Sequence, residues 1–212
     1  MLTPPRIDDP NLFKLNKIVA PGTKPVNVSV KPGEKAAINE CFENVADRLA
    51  QHGGRRVLGW QVWAQPYMIE AEFHAVWESP EWQWTDITPK ASQVSEIVFI
   101  PDENAAYNGN QVDNIRLNTT TNQLVDEYIA LAQARFSVLN YGEKANQKNL
   151  ILTANEQKLL AYISSMMVEI ERMLAQQRGR NSSCFCSSTL KYKHCHGKDL
   201  VPYLNQIKAG QY

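Results

Sequence analysis

Between residues 34 and 51, Ala37, Cys41, Val45 and Leu49 recur at four-residue spacing, which predicts a helix that Gly53-Gly54 ends. Beyond it the periodicity shortens. Residues 56–63, 67–77, 84–87 and 96–100 are rich in β-branched and aromatic side chains and read as four strands, the last closed by Pro101. One helix followed by a small, tryptophan-rich antiparallel sheet defines an α+β domain.

Upstream, residues 1–33 are rich in proline (Pro4, Pro5, Pro10, Pro21, Pro25 and Pro32) and read as an extended or irregular arm. Within it the alternating piece 26–30 reads as an edge strand. Residues 104–121 are rich in asparagine and read as loop. A helix is expected over 124–139. A second follows from a Thr153-Ala-Asn-Glu156 cap to about 177, with Leu159, Ile163, Met166, Met167, Ile170 and Leu174 on its apolar side. The chain thus divides into an arm (1–33), an α+β domain (34–103), a helical segment (104–180) and a cysteine-bearing C-terminal module with its tail (181–212).

Composition narrows the function classes. Of 212 residues 43% are apolar and 21% charged, ordinary for a globular protein, and 22 basic residues balance 22 acidic ones. No global field steers the chain toward nucleic acid. No apolar run reaches the length of a membrane span, and the N-terminal stretch MLTPPRIDDPNLF lacks the apolar region of a signal peptide, so a cytosolic location is expected. No Walker-type glycine loop points to nucleotide hydrolysis.

In the cytosol, clustered cysteines point to a metal or to reactivity and not to a disulfide framework. Three of the four cysteines fall in the stretch CFCSSTLKYKHCH, residues 184–196. Cys184 and Cys186 form C-x-C, and Cys195-His196 follows after eight residues. Three thiolates and an imidazole suit a closed tetrahedral zinc site. His194 competes with His196 for the fourth place. Ser187, Ser188 and Thr189 can donate hydrogen bonds to sulfur. With Phe185, Leu190 and Tyr192 as nearly its only apolar side chains, the segment depends on the metal to fold. From Glu171 onward seven basic residues face two acidic ones, a local charge of about +5 that an acidic protein surface, ribosomal RNA or anionic lipid could each use.

CFCSSTLKYKHCHG resembles the SEC-C motif, the small zinc module at the C-terminus of the bacterial preprotein translocase motor and an appendage on many unrelated bacterial proteins. Cys184, Cys186, Cys195 and His196 match its zinc ligands, and Ser188, Lys191, Tyr192, Lys193 and Gly197 match as well. Ser187 and Thr189 stand where that motif carries turn glycines. The resemblance implies zinc and a protein-docking role.

The fourth cysteine, Cys41, has two readings. Its place in the apolar repeat makes it a small buried hydrophobe. Alternatively it pairs with His74 and Asp86, which lie on consecutive strands. A hairpin loop over 78–82 sets Trp77 against Gln83 and His74 against Asp86, so that the aspartate fixes the imidazole tautomer and leaves the other ring nitrogen to the thiol. A thiol in a helix's first turn is also acidified. That applies to Cys41 only if the helix starts near Asn39, not at Glu34.

The order helix-Cys, strand-His, strand-Asp resembles the transglutaminase-like branch of the papain superfamily. Cys41 takes the nucleophile's place. Gly54, Arg55 or Arg56, Val57 and Gly59 match the link, and His74-Ala75 the histidine strand. Trp84, Asp86, Thr88 and Pro89 match the third segment. No glycine or tryptophan sits beside Cys41, and Gln61 and Gln65 are the polar candidates near the site.

Two functions follow. In one, a thiol enzyme acts on a peptide or amide bond, with the zinc module recruiting a substrate or tethering the enzyme. In the other, a non-catalytic adaptor docks onto a protein partner through that module.

Overall fold

The computed structural model describes residues 2–146 and 150–211, which form two compact units. The first comprises residues 1–108 with 114–119; the second comprises 109–113 with 120–212.

In the first unit, α1 (Pro10–Val19) leads into β1 (Val26–Val30), α2 (Cys41–His52), β2 (Arg55–Ala64), β3 (Met68–Glu78), β4 (Trp84–Asp86), β5 (Glu96–Pro101) and β6 (Ile115–Asn118). The strands pair in the order β2-β5-β1-β4-β3-β6, and β3 also pairs with β2. That extra pairing closes β2, β5, β1, β4 and β3 into a ring, with β6 added along the first residues of β3. All pairs are antiparallel except β1–β4, so the expected antiparallel sheet is mixed and closed upon itself. Strand β1, expected at an edge, is hydrogen-bonded on both sides. Closure leaves the ring no long open edge.

The proline-rich N-terminus also departs from expectation. Asp9 accepts the Asn11 N–H, Pro10 opens α1 at a position that needs no donor, and Leu12, Leu15 and Val19 follow at helical spacing. These side chains are buried with Trp60, Val62, Ile69, Ala71, Val98 and Ile100. A second cluster joins Val28, Val76, Ile97 and Phe99. A third sets Cys41 and Val45 of α2 against Ala75 of β3 and Ile87. Of the five tryptophans, Trp60 and Trp63 are buried, while Trp82, in the β3–β4 turn at φ 63°, is 77% exposed.

Helix α2 begins at Cys41, seven residues later than the apolar repeat suggests. The side-chain amide of Asn44 pairs with both the N–H and the C=O of Ala37, at 2.9 and 2.8 Å, and so draws that residue into a loop. Asn39 then adopts φ 66°, a left-handed conformation that no α-helix contains.

The second unit contains α3 (Gln123–Asn140), α4 (Ala154–Ala175) and α5 (Leu200–Lys208). Asn122 caps α3, and Thr153 with Glu156 forms the expected capping box of α4. Helix α5 lies in what the sequence reads as a tail; its Leu200, Leu204 and Ile207 are buried. No helix among the described residues is long and apolar enough to cross a membrane.

Gly59 is where the ring tolerates no side chain. A Cβ there would lie 2.2 Å from the Ile100 carbonyl oxygen and 2.6 Å from the Phe99 ring. Gly59 pairs with His74 across the β2–β3 ladder, so the close approach sits beside the site described next. Gly59→Ala is expected to lower unfolding stability by about 3 kcal/mol in urea titration; a loss within about 0.5 kcal/mol would show that the strands separate there at little cost.

Candidate functional site

Two groups of polar side chains have the makings of a site, one in each unit.

In the first unit, β3 carries His74 and β4 ends on Asp86, both almost wholly buried. The β3–β4 register is Trp77 with Thr85 and Glu78 with Trp84, two residues away from the expected pairing, because the loop runs from Ser79 to Gln83. His74 and Asp86 are therefore not directly opposed. A shift of two residues nevertheless keeps both on the same face, since side chains alternate with period two. His74 Nε2 lies 3.2 Å from Asp86 Oδ1. Backbone donors help fix the aspartate's surroundings: Thr88 N–H donates to Asp86 Oδ1 at 3.0 Å, and Lys31 N–H to the Asp86 carbonyl at 2.8 Å.

Cys41, 5% exposed, stands at the first position of α2 and is one of the groups that raise the pKa of His74. Asp86 occupies Nε2, which leaves Nδ1 for the thiol. Burial alone drives the imidazole toward its neutral form. The hydrogen bonds to Asp86 and Cys41, with the Asp86 charge, outweigh burial and lift its pKa from 6.5 to about 9, against an opposing push from Lys90. Asp86 feels burial in the opposite direction, but His74 and Lys90 hold its pKa below the ordinary carboxylate value.

Helix α2 supplies more than a position for the thiol. Its N-cap, Glu40, makes no side-chain capping hydrogen bond. The first N–H groups of the helix thus keep their donor capacity and partial positive charge beside Cys41. Phe42, the residue after Cys41, stacks on Tyr107 with ring centroids 3.6 Å apart.

The sequence reading overlooked Lys90. Its side chain, 7% exposed, places Nζ 2.5 Å from Asp86 Oδ2, donates to Gln61 Oε1 at 2.6 Å and lies 3.4 Å from His74 Nε2. Lys90 directly follows the Thr88-Pro89 pair, and its spacing of four from Asp86 was the available signal. Glu70 and Glu72, which strict alternation along β3 puts on the same face as His74, have partners elsewhere: Arg116 and Asn114 for Glu70, and the Trp63 indole for Glu72.

In the second unit, one donor atom from each of Cys184, Cys186, Cys195 and His196 lies within 4.8 Å of the other three. Cys184 Sγ is 3.2 Å from His196 Nδ1, Cys195 Sγ is 3.4 Å from it, and Cys186 Sγ is 3.6 Å from Cys195 Sγ. A tetrahedral zinc ion sets sulfur–sulfur edges of about 3.7 Å and sulfur–nitrogen edges of about 3.5 Å. The spacing therefore suits such an ion, and these residues could hold a metal. The sulfur spacing is far beyond a disulfide bond, and all four cysteines are free. His194 lies outside the cluster. Ser188 donates to Cys195 Sγ at 3.6 Å, and its hydrogen bonds to Cys186 lower that thiol's pKa to about 6, favouring the thiolate that ligation requires.

A short two-stranded turn carries these ligands. Cys184 N–H donates to the Leu190 carbonyl, and Tyr192 N–H to that of Ser182, each at 2.9 Å. The segment has one fully buried anchor. The Tyr192 ring packs on Gly197, where a Cβ would come within 2.3 Å of it. The buried tyrosine hydroxyl lies near Glu127 of α3, and Arg180 Nε pairs with that carboxylate at 2.7 Å while its Nη2 donates to the Gly197 carbonyl. Burial raises the pKa of Glu127, and Tyr192 and Arg180 offset that rise.

Residues 180–198 match the family model of the SEC-C motif, a zinc-binding motif. No curated protein and no solved structure matches the chain.

Ser187, in the place of a turn glycine, has φ 61°. The turn keeps a left-handed path although its residue carries a Cβ, at a cost of about 1 kcal/mol. Ser187→Gly is expected to tighten zinc about twofold to fivefold in a chelator competition, the greater freedom of unfolded glycine offsetting part of the gain. Unchanged or weaker binding would show that the serine side chain contributes more than the strain removes.

Proposed function

We propose that the chain is a cytosolic thiol hydrolase or acyl-transfer enzyme acting on peptide or amide bonds, with a zinc-loaded C-terminal module that docks on a protein partner. The observation that carries the enzyme reading is Cys41 at the first position of α2, near enough to His74 to raise its pKa, with the same imidazole 3.2 Å from Asp86. The loose likeness of residues 34–100 to the transglutaminase-like branch of the papain superfamily agrees with that constellation.

The chemistry follows from these groups. Cys41 passes its proton to His74 Nδ1, and Sγ attacks the carbonyl carbon. The uncapped N–H groups of α2 are placed to receive the developing oxyanion. Collapse of the tetrahedral species expels the amine, which takes the His74 proton and leaves a thioester. Water gives hydrolysis, or a second amine gives transfer, with His74 as general base. Asp86 holds the ring throughout without taking the proton.

The ligand set supports zinc in a structural role, because three thiolates and one imidazole close the coordination sphere and leave no open position. The surplus of basic residues from Arg172 to Lys208 suits an acidic protein surface.

One observation favours the alternative of a non-catalytic adaptor. Cys41 and His74 are only 5% and 4% exposed, so a substrate must open the packing around them to reach sulfur.

Alkylation decides between them. With zinc in place, Cys41 is expected to react with iodoacetamide at neutral pH about tenfold or more faster than an ordinary thiol, and His74→Ala to slow it at least tenfold, as mapped by mass spectrometry. A Cys41 that reacts no faster than glutathione would favour the adaptor. For the metal, elemental analysis of protein never exposed to chelator is expected to find one zinc per chain, and Cys184→Ser to lose most of it. Metal-free protein whose module keeps its protection from proteolysis would overturn the zinc assignment.

A further inference from the structure

We infer that Lys90 is a positioning residue of the thiol site, holding Asp86 and Gln61 in place and setting how firmly His74 keeps its proton. This role rests on the thiol reading above, which assigns no part to the lysine.

Geometry gives Lys90 three polar neighbours: Asp86 Oδ2 at 2.5 Å, Gln61 Oε1 at 2.6 Å and His74 Nε2 at 3.4 Å. Its ammonium has three donors, and a side chain only 7% exposed leaves water little part in satisfying them. Asp86 therefore divides its oxygens, Oδ1 toward His74 and Oδ2 toward Lys90. Gln61 comes from β2 and Asp86 from β4, strands that are not neighbours in the ring, so the lysine bridges them.

Charge explains why a lysine serves here. The groups that bear on the His74 ring are Asp86 from β4, Cys41 from α2 and Lys90 from the loop after β4. Without the lysine, only an imidazolium would neutralise the buried carboxylate, and the ring would hold its proton too tightly to release it to a departing amine. With Lys90 paired to Asp86, the cluster is neutral both as thiol with imidazole and as thiolate with imidazolium. The proton can then pass between Cys41 and His74 without changing the net charge buried in the ring. Lys90 lowers the basicity of His74 in step with this, and Asp86 keeps the ring aimed.

The test uses the full-length, zinc-loaded chain with isotope-labelled histidine, one ring among four. The His74 imidazole is titrated by NMR beside the pH profile of Cys41 alkylation. In the wild type His74 is expected to titrate near pH 9. Lys90→Met and Lys90→Gln are both expected to raise that midpoint by about one unit. The high-pH limb of the alkylation profile should move with it, and Lys90→Arg should restore the wild-type value. A lysine that merely fills space would leave the midpoint where it was, and that result overturns the role. If Lys90→Met fails to fold, Lys90→Gln against Lys90→Arg decides in the same way. A shifted imidazole beside a Cys41 no more reactive than glutathione sinks the thiol reading and leaves the lysine's control of the imidazole standing. An unshifted imidazole sinks the lysine's role whatever Cys41 does.

Discussion

A carboxylate with no exposure to water must find partners for both its oxygens, and much of the first unit is arranged around meeting that need for Asp86. Strand β3 brings His74, the loop after β4 brings Lys90, and the Thr88 N–H donates to Oδ1. The closed ring makes this convergence possible. In an open sheet of the same strands, β2 and β4 would lie far apart, whereas here both flank β3 and one lysine reaches Gln61 on one side and Asp86 on the other. Ring closure and the buried charge cluster therefore stabilise each other. A hydrophobic core alone could be repacked in several ways. A carboxylate with two specified partners allows far fewer, so the cluster fixes register as well as position.

Much of this order can be read directly from the chain. The strands over 55–64, 68–78 and 96–101 announce themselves through β-branched and aromatic runs, and the α4 capping box through Thr153 and Glu156. What hides is decided by contacts distant in sequence. The start of α2 depends on the Asn44 amide claiming the backbone of Ala37, while the apolar repeat passes through residue 37 without interruption. Helix α1 lies among prolines, which mask the Asp9-Pro10 start. The β3–β4 register missed by two because a turn of five residues with Trp82 in a left-handed conformation is not the loop its composition suggests. The error was even, so the face of His74 and Asp86 survived it. An odd slip would have sent one of the two to the other face of the sheet.

The C-terminal module shows a different balance. Its ligands are legible because metal chemistry constrains residue type and spacing at once, and few alternatives satisfy both. Its attachment to α3 is not. Glu127 looks like any helix-surface acid until Tyr192 and Arg180 meet it, and neither residue carries a label for a helix some fifty positions away. The reading of a segment without a core also needs amendment, since Tyr192 is fully buried against Gly197. One aromatic side chain can bury at most a few kcal/mol, too little to order a segment of this length, so the segment would still draw on a bound metal, with the tyrosine as its fixed seat.

The two sites handle charge by opposite routes. Around Asp86 an ammonium inside the fold pairs with the carboxylate, which in turn meets an imidazole. At the C-terminus three sulfurs and one imidazole nitrogen lie at ligand spacing, and a bound divalent cation would neutralise the thiolates and leave them unreactive. The same element thus stands in two different settings, and what it can do is set by what stands against it. Cys41 has an imidazole and the uncapped start of a helix beside it. Cys184, Cys186 and Cys195 have one another at ligand spacing, a geometry that admits a divalent cation more readily than it admits a substrate.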